Sequence, residues 1–363
     1  MELYEKCEKT HLLWQHRSGL LLKELKALNA DIFCLQEVDS DTYSTFDAFF
    51  NRRKYKGVYK KRTGDKNDGC AVFWKKHIFK LVEWVGIEYF IPNTHVDRDN
   101  VGQLVKLRLR RKNKSWFCRF QKKQDDYLIV ANTHLLFNPK RGDIKLAQLC
   151  QLLAHLQKMA ERRLNSGEVF YDPVLLCGDL NSTPTSPLCN FLTTGRLDYF
   201  NITRNSVSGL APFGGPLLSY PIIPPVVGIA EHSCSFKVAS TSIDSDTATC
   251  ANFPIGTLAH TLSLSCAIDV SAPTGEKPIS TMVNGRSELV DFIYYGSSHG
   301  SMTVQSKRNI LDCIAHSSLL TDIQMVNRIG PLPNEYCGSD HLPLLAKFNY
   351  VQVDDKVPSK AVF

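Results

Sequence analysis

The sequence predicts an α/β protein, and three observations lead there. Short runs rich in β-branched and aromatic residues recur in both halves of the chain, each of strand rather than helix length. One strong helical repeat, at 143–163, lies between two of these runs. The apolar runs also break into Asp, Asn, Glu or His at their ends, as they do where the strands of a buried sheet deliver polar side chains to a surface.

Taken in order, residues 11–29, "HLLWQHRSGLLLKELKALN", place Leu21, Leu25 and Leu28 on one face, a helix with a single buried stripe. "DIFCLQEV" (31–38) is a short strand, followed by strand candidates "GCAVFW" (69–74), "VGQLVKLRL" (101–109) and "YLIVANTHL" (127–135). The helix at 143–163 carries Leu149, Leu152, Leu153, Leu156 and Met159 on one stripe behind an acidic start. "PVLLCGDLN" is a buried strand ending in a carboxylate and a carboxamide, Asp179 and Asn181, two positions apart and so on one side of an extended chain. Ser186, Pro187 and Gly195 then supply an N-cap, a first helical residue and a stop.

From 203 to 285 both periodicities dissolve into Ser, Thr, Pro and Gly, which predicts an insertion or flexible loop, of which 210–280 is removable without unfolding the protein. Order returns at "ELVDFIYYG" (288–296), "RNILDCIAHSSLL" (308–320) and "GSDHLPLLAKFNYV" (338–351), the last ending in a strand. The expected organisation is one domain formed by 1–202 and 286–351, interrupted by 203–285 and followed by a tail at 352–363.

With 363 residues, 43% of them hydrophobic, the chain can bury a sizeable core. A formal charge of +7 suits a polyanionic partner without requiring one. The 12 cysteines sit mostly alone in apolar runs, with no repeated spacing for zinc or a disulfide framework, and read as reduced thiols of an intracellular protein, cytoplasmic or nuclear. "MELYEKCEKTHLLWQHR" has no apolar core for a secretory signal, and no long apolar run suggests a membrane span.

Polar residues interrupt apolar runs at five places: Gln36 and Glu37, Asn132 and His134, Asp179 and Asn181, Asp291, and Asp340 and His341. Each alone has an ordinary explanation as a cap, a turn former or a satisfied core group. Together they suggest a divalent cation held by oxygen ligands, with histidines for proton or phosphate work, because buried carboxylates are costly unless paired or bound to a cation.

The ordered set "LQEV", "NTHL", "GDLNS", "VDFIYY" and "SDHLPL" resembles the endonuclease/exonuclease/phosphatase superfamily. "RTGDKNDGCAVFWK", "DRDNVG" and "NTHLLFNPKRGDIKLAQL" are similar to its Angel branch, relatives of nocturnin and the carbon-catabolite-repression deadenylases. The resemblance implies a four-layer α/β sandwich of two packed mixed sheets flanked by helices. It also implies that one strand is wanting, because the family's opening "YNIL"-type strand has no counterpart before Glu37.

By the same resemblance Glu37 is the principal Mg²⁺ ligand, with Mn²⁺ able to substitute, and Asp340 serves the metal shell or a bound water. Asp179 orients or deprotonates the nucleophile, and Asn181 donates to the phosphate. His341 contacts the phosphate, held in one tautomer by Asp291, while His134 lines the pocket. Asn100, Asn132, Lys140 and Arg141 are candidate substrate contacts. The implied function is a metal-dependent phosphoesterase acting on RNA ends, removing 2′,3′-cyclic phosphate, with a poly(A)-type 3′-exonuclease or an inactive RNA-binding or scaffold protein as alternatives. The basic run at 106–123, with Trp116 and Phe117, offers a phosphate-tracking surface or a solvated hairpin.

Overall fold

A computed structural model describes residues 4–110, 126–163, 169–237, 254–271, 276–283, 285–296 and 307–354. In chain order the main elements are α1 (Trp14–Leu28), β1 (Ile32–Asp39), α2 (Tyr43–Arg52), β2 (Tyr55–Lys61), β3 (Asp68–Lys75), β4 (Phe79–Glu88) and β5 (Val101–Leu109). They continue with β6 (Tyr127–His134), α3 (Gly142–Ala160), β7 (Val174–Asp179), α4 (Pro187–Thr194) and β8 (Leu264–Cys266). The chain closes with β9 (Asp291–Gly296), β10 (Lys307–His316), α5 (Asp322–Arg328) and β11 (Ala346–Asp354).

Six strands form one mixed sheet in the order β8-β9-β7-β6-β5-β4. Only β6 and β7 run parallel, and α3 makes the crossover between them. The facing layer is in two parts, β1-β3-β2 and β10-β11. Both pack on the large sheet through one apolar layer in which Val72 and Trp74 meet Val105, Leu107, Val130 and Leu175. Outside β1-β3-β2 lie α1 and α2, around Phe33, Phe50 and Phe73. On the far face of the large sheet, α3 and α4 bury Leu149, Leu153, Leu156, Phe191 and Leu192. Helix, sheet, sheet and helix give the four-layer α/β sandwich that the sequence leads one to expect.

Local signals hold where they were strongest. Ser186 caps α4 by accepting from the Cys189 amide, Pro187 opens the helix, and Gly195 ends it in the left-handed region at φ 72°. The helix expected to reach 163 stops at Ala160, and Glu161–Arg163 turns into a short strand against Val169–Tyr171.

Two expectations are corrected. No residue of α1 is fully buried, although Leu21, Leu25 and Leu28 do lean on the aromatic cluster. The helix lies over an open slot beside β1, so its stripe is only half covered. Nor do the described residues of 203–285 lie apart from the core. Leu218, Ile222, Ile229, Leu258 and Leu262 join the cluster around α3, and β8 extends the large sheet beyond β9. Gln157 of α3 donates to the Ser233 and Cys234 carbonyls and accepts from the Thr261 amide, tying the segment down. The segment escapes a periodicity reading because it contributes single apolar side chains from short bends rather than a repeating face.

The ten described cysteines are free thiols. Among the described residues no helix is long and apolar enough to cross a membrane.

Leu258, 0% exposed, tests the corrected segment. Leu258→Ala is expected to lower unfolding free energy by about 2–5 kcal/mol in a urea melt, the usual cost of emptying a buried leucine site. A segment loose on the surface would give no measurable change.

Candidate active site

Register sets the site. His134 at the end of β6 is the lateral partner of Asp179 at the end of β7, and Asp179 is in turn the partner of Asp291 at the start of β9. Lateral neighbours project to the same face of a sheet, so three adjacent strands present one imidazole and two carboxylates in a row. Gly178 permits this pairing. Its φ is +154°, and a Cβ there would sit 2.1 Å from the Thr133 carbonyl oxygen of β6.

Asp179 is 6% exposed. Its Oδ1 accepts from the Asn181 amide at 2.7 Å, and Oδ2 lies 3.4 Å from His134 Nε2. Burial first, and then the charge of Asp291, push its pKa up to about 6, against the opposing pull of His134 and His341. On the other side Asp291 Oδ2 accepts from Ser280 Oγ at 2.6 Å and lies 2.7 Å from His341 Nδ1. Burial alone would lower the His341 pKa. The charge and hydrogen bond of Asp291, aided by Asp179 and Asp340, reverse that and hold it well above the ordinary histidine value. A backbone bridge between Thr281 and His341 fixes the loop that carries it.

Glu37 enters from the facing layer. The pairing of β1 with β3 slips between Leu35 and Val38, and Glu37 takes a left-handed backbone, φ 54°. Its side chain is 64% exposed and its Oε1 lies 3.8 Å from His134 Nδ1, a buried nitrogen with no hydrogen-bond partner. Asn181 is left-handed too, at φ 47°. Two non-glycine residues in this costly conformation thus flank the same mouth. Asp340 accepts from the Tyr4 hydroxyl at 2.8 Å, and burial, with the charges of Asp340 and Glu37, keeps that phenol protonated.

The donor chemistry here fits a hard divalent cation. Glu37 offers an exposed carboxylate, and Asp340, which accepts from Tyr4 through one oxygen, has a second. Single ligand atoms of Asp179, Asp291 and His341 also lie within 4.8 Å of one another. Those three are already engaged by the Asn181 amide, Ser280 and each other.

The remaining expected residues divide. Asn132, fully buried, accepts from Gln36 at 2.6 Å and donates to the Leu35 and Ala71 carbonyls, so its whole amide is spent holding the bulge under Glu37. Asn100 donates to the His134 carbonyl and accepts from Gln148. Both amides hold the backbone around the site in place. Arg141 grips Asp143 with two nitrogens and the His95 carbonyl with one, whereas Lys140 is exposed. Asn181 donates its side-chain amide to the Leu135 carbonyl at 3.0 Å, which leaves one amide hydrogen for a ligand. Of the basic run, Lys106 is held by the Met159 carbonyl and Asp172, while Trp116 and Phe117 lie outside the described residues.

Lys145 escaped the sequence reading. It is 0% exposed on α3 and donates to the Asn181 carbonyl. Burial pulls its pKa down to about 7, although Asp179 opposes the shift. A lysine four residues before Leu149, on the buried face of the strongest helix, was the available signal.

Comparison with known proteins agrees with this geometry. A model of the "Endonuclease/Exonuclease/phosphatase family" matches residues 7–341. Protein angel homolog 2 of Danio rerio is 36% identical over 95% of this chain and 60% of its own length, and that of Homo sapiens 36% over 95% and 65%. The chain therefore spans about 60–65% of the length of these curated relatives. Carbon catabolite repressor protein 4 homolog 5 of Arabidopsis thaliana is 30% identical over 97% of the chain and 74% of its own length. Among solved structures, ANGEL2, described as a 2′,3′-cyclic phosphatase and crystallised with adenosine-2′,3′-vanadate, superposes with a TM-score of 0.79 at 37% identity, covering 95% of this chain and 89% of that one. The human nocturnin catalytic domain shares the fold, with a TM-score of 0.54 at 22% identity over 94% of this chain and 88% of that one. With the family model matched across nearly its whole length and the strand-end acids and histidines converging on one mouth, the chain belongs to the endonuclease/exonuclease/phosphatase family.

Proposed function

We propose that the protein is a divalent-metal-dependent phosphoesterase of RNA ends that removes 2′,3′-cyclic phosphate. The observation that carries this reading is the row His134–Asp179–Asp291 with His341 paired to Asp291: a buried base of raised pKa beside an imidazolium held in fixed orientation. Its relatives lend support, since family members generally use a divalent cation and ANGEL2 is described as a 2′,3′-cyclic phosphatase.

In this reading Asp179 takes a proton from the attacking water, for which a pKa near 6 suits neutral pH. His341, protonated and steered by Asp291, donates to the phosphate and supplies the proton for the ring oxygen released when its bond to phosphorus breaks; a second water, activated in the same way, then cleaves the remaining ester and frees inorganic phosphate and the other hydroxyl. Asn181 offers its remaining amide hydrogen to a phosphate oxygen. A cation held by Glu37 and Asp340, Mg²⁺ or Mn²⁺, would supply charge neutralisation at the phosphate. Lys140 is the exposed cation placed to meet the RNA backbone.

The discriminating experiment offers the protein an oligoribonucleotide ending in 2′,3′-cyclic phosphate and, separately, oligo(A). Turnover of the first and not the second is expected. Shortening of oligo(A) instead would make it a 3′-exonuclease, and chelator-insensitive RNA binding with no turnover would make it a binding protein.

Asp179→Asn should lower the rate at least about 10²-fold, the usual worth of a general base. The same change should not weaken the fold. Because the folded pKa of Asp179 is raised from 3.8 to about 6, ionising it in place costs stability above pH 6. Melts at pH 7.5 should find the variant as stable as the parent or more so, with the advantage fading as the pH falls from 6 toward 4. A variant that kept a tenth of parental activity, or that melted lower at pH 7.5, would remove Asp179 from this role.

Chelation should abolish turnover, and Mg²⁺ or Mn²⁺ should restore it. Titration of the metal back into Glu37→Ala should need at least about tenfold more ion than the parent, since one carboxylate of a two-carboxylate site is lost. An unchanged metal requirement in that variant would place the ion elsewhere.

A further inference from the structure

Residues 204–216 close into a loop whose ends meet: the Arg204 amide donates to the Pro216 carbonyl at 2.8 Å, and Thr203 pairs with Leu217 across the neck. The body of this loop is pinned to both segments that leave the catalytic strands. On the β7 side the Ser208 carbonyl accepts from the Thr183 amide at 2.8 Å, just past Asn181. Gly209 packs there so closely that a Cβ would lie 2.1 Å from Thr183 Oγ1. On the β6 side Ser208 Oγ donates to the Pro139 carbonyl at 3.2 Å, and the Arg204 carbonyl accepts from the Gly142 amide at 3.2 Å. At the tip Phe213, between Pro212 and Gly214, is 96% exposed. The same anchors gather more positive charge than they balance. Among the described residues Asp143 is the one carboxylate paired with Arg141 or Arg204, and Arg141 takes it at 3.0 Å while Arg204 Nη1 lies 3.8 Å away. Arg204 Nε is buried with no hydrogen-bond partner, and Lys140, beside Pro139, is exposed. Arg204 therefore has donors to spare for an anion.

We propose that the 204–216 loop is a subsite for the nucleotides upstream of the reactive RNA end, with Arg204 taking a backbone phosphate and Phe213 stacking on a base. The assignment rests on the phosphoesterase reading above. One exposed aromatic ring is ordinary on a protein surface, and the ring alone selects no ligand. Its combination with unbalanced cations does: single-stranded nucleic acid is held by positive charge along its phosphates and by aromatic faces against its unpaired bases. An acidic peptide would use the cations and leave the ring in water. Placement decides which nucleotides are met. The loop is fastened to the segments that follow His134 and Asn181, so it stands beside the mouth, and a substrate of one nucleotide has nothing to lay on it. Because every base has a flat face, the subsite rewards chain length and not sequence.

The test gives the full chain two substrates and one unreactive ligand: a single-stranded oligoribonucleotide ending in 2′,3′-cyclic phosphate, a 2′,3′-cyclic mononucleotide, and the same oligoribonucleotide ending in a 3′-hydroxyl, its binding followed by fluorescence anisotropy. Phe213→Ala is expected to raise the ratio of oligonucleotide KM to mononucleotide KM at least about fivefold and to weaken binding of the unreactive oligonucleotide by a like factor. Phe213→Tyr, which keeps the ring, should restore both. Arg204→Ala should act in the same direction and, unlike Phe213→Ala, lower the salt dependence of binding by roughly one unit of slope, the mark of one lost phosphate contact. Melts of both variants are run beside the parent, and should Arg204→Ala unfold, Phe213→Ala, which removes only an exposed ring, decides the matter. Equal rises in KM on both substrates, or unchanged anisotropy in Phe213→Ala, would overturn the proposal. Absence of turnover on either substrate would count against the phosphoesterase reading, and the anisotropy would still decide whether the loop holds RNA.

Discussion

Everything at the mouth of the large sheet depends on one register, the alignment of β6, β7 and β9 that puts His134, Asp179 and Asp291 side by side. A slip of one residue in any of the three would turn its polar end group to the opposite face. The alignment is held from several directions. Gly178 allows β7 to press against the Thr133 carbonyl, Asn132 stitches β6 to β1 and β3, and Gln148 of α3 holds Asn100, which holds the His134 carbonyl. The site is thus assembled by backbone pairing and buried amides, and its charged groups are passengers on that frame.

The frame brings two carboxylates together where little water reaches them, which is unfavourable unless charge is returned. His341 supplies it to Asp291 directly, while His134 lies against Asp179 and Lys145 bonds the Asn181 carbonyl. Raised carboxylate and imidazole pKa values and a lowered lysine pKa are three expressions of that crowding. Strain accompanies it at Glu37 and Asn181, whose left-handed backbones serve no packing need. Stability is given up at this mouth and recovered in the dry layers on either side of the large sheet.

Much of this was legible in the sequence because strand ends interrupted by acids, amides and histidines mark a sheet's functional edge. Glu37, His134, Asp179, Asn181, Asp291, Asp340 and His341 do converge. What was not legible depended on contacts across long stretches of sequence. Asn132 and Asn100, expected as substrate contacts, show only in three dimensions how their amides bond the chain around the site. Arg141 pairs with Asp143, two residues away, a pairing that composition cannot weigh. Edge strands such as β4, whose pattern alternates Lys80, Glu83 and Glu88 with half-exposed apolar residues, carry too weak a signal to stand out. The segment 203–285 misled for a related reason: its apolar residues enter the core one at a time.

The burial of Lys145 has a chemical side. Burial lowers the pKa of this amine toward about 7 and so favours the uncharged state in which lysine is a capable nucleophile, yet no surface of it meets solvent. Acylating reagents can therefore modify it only during openings that separate α3 from the loop of Asn181. Exposed Lys140, five residues earlier, reacts without such an opening and serves as the internal standard. The ratio of the two adducts turns one side chain into a clock for breathing motions at the heart of the pocket, readable by mass spectrometry without any substrate.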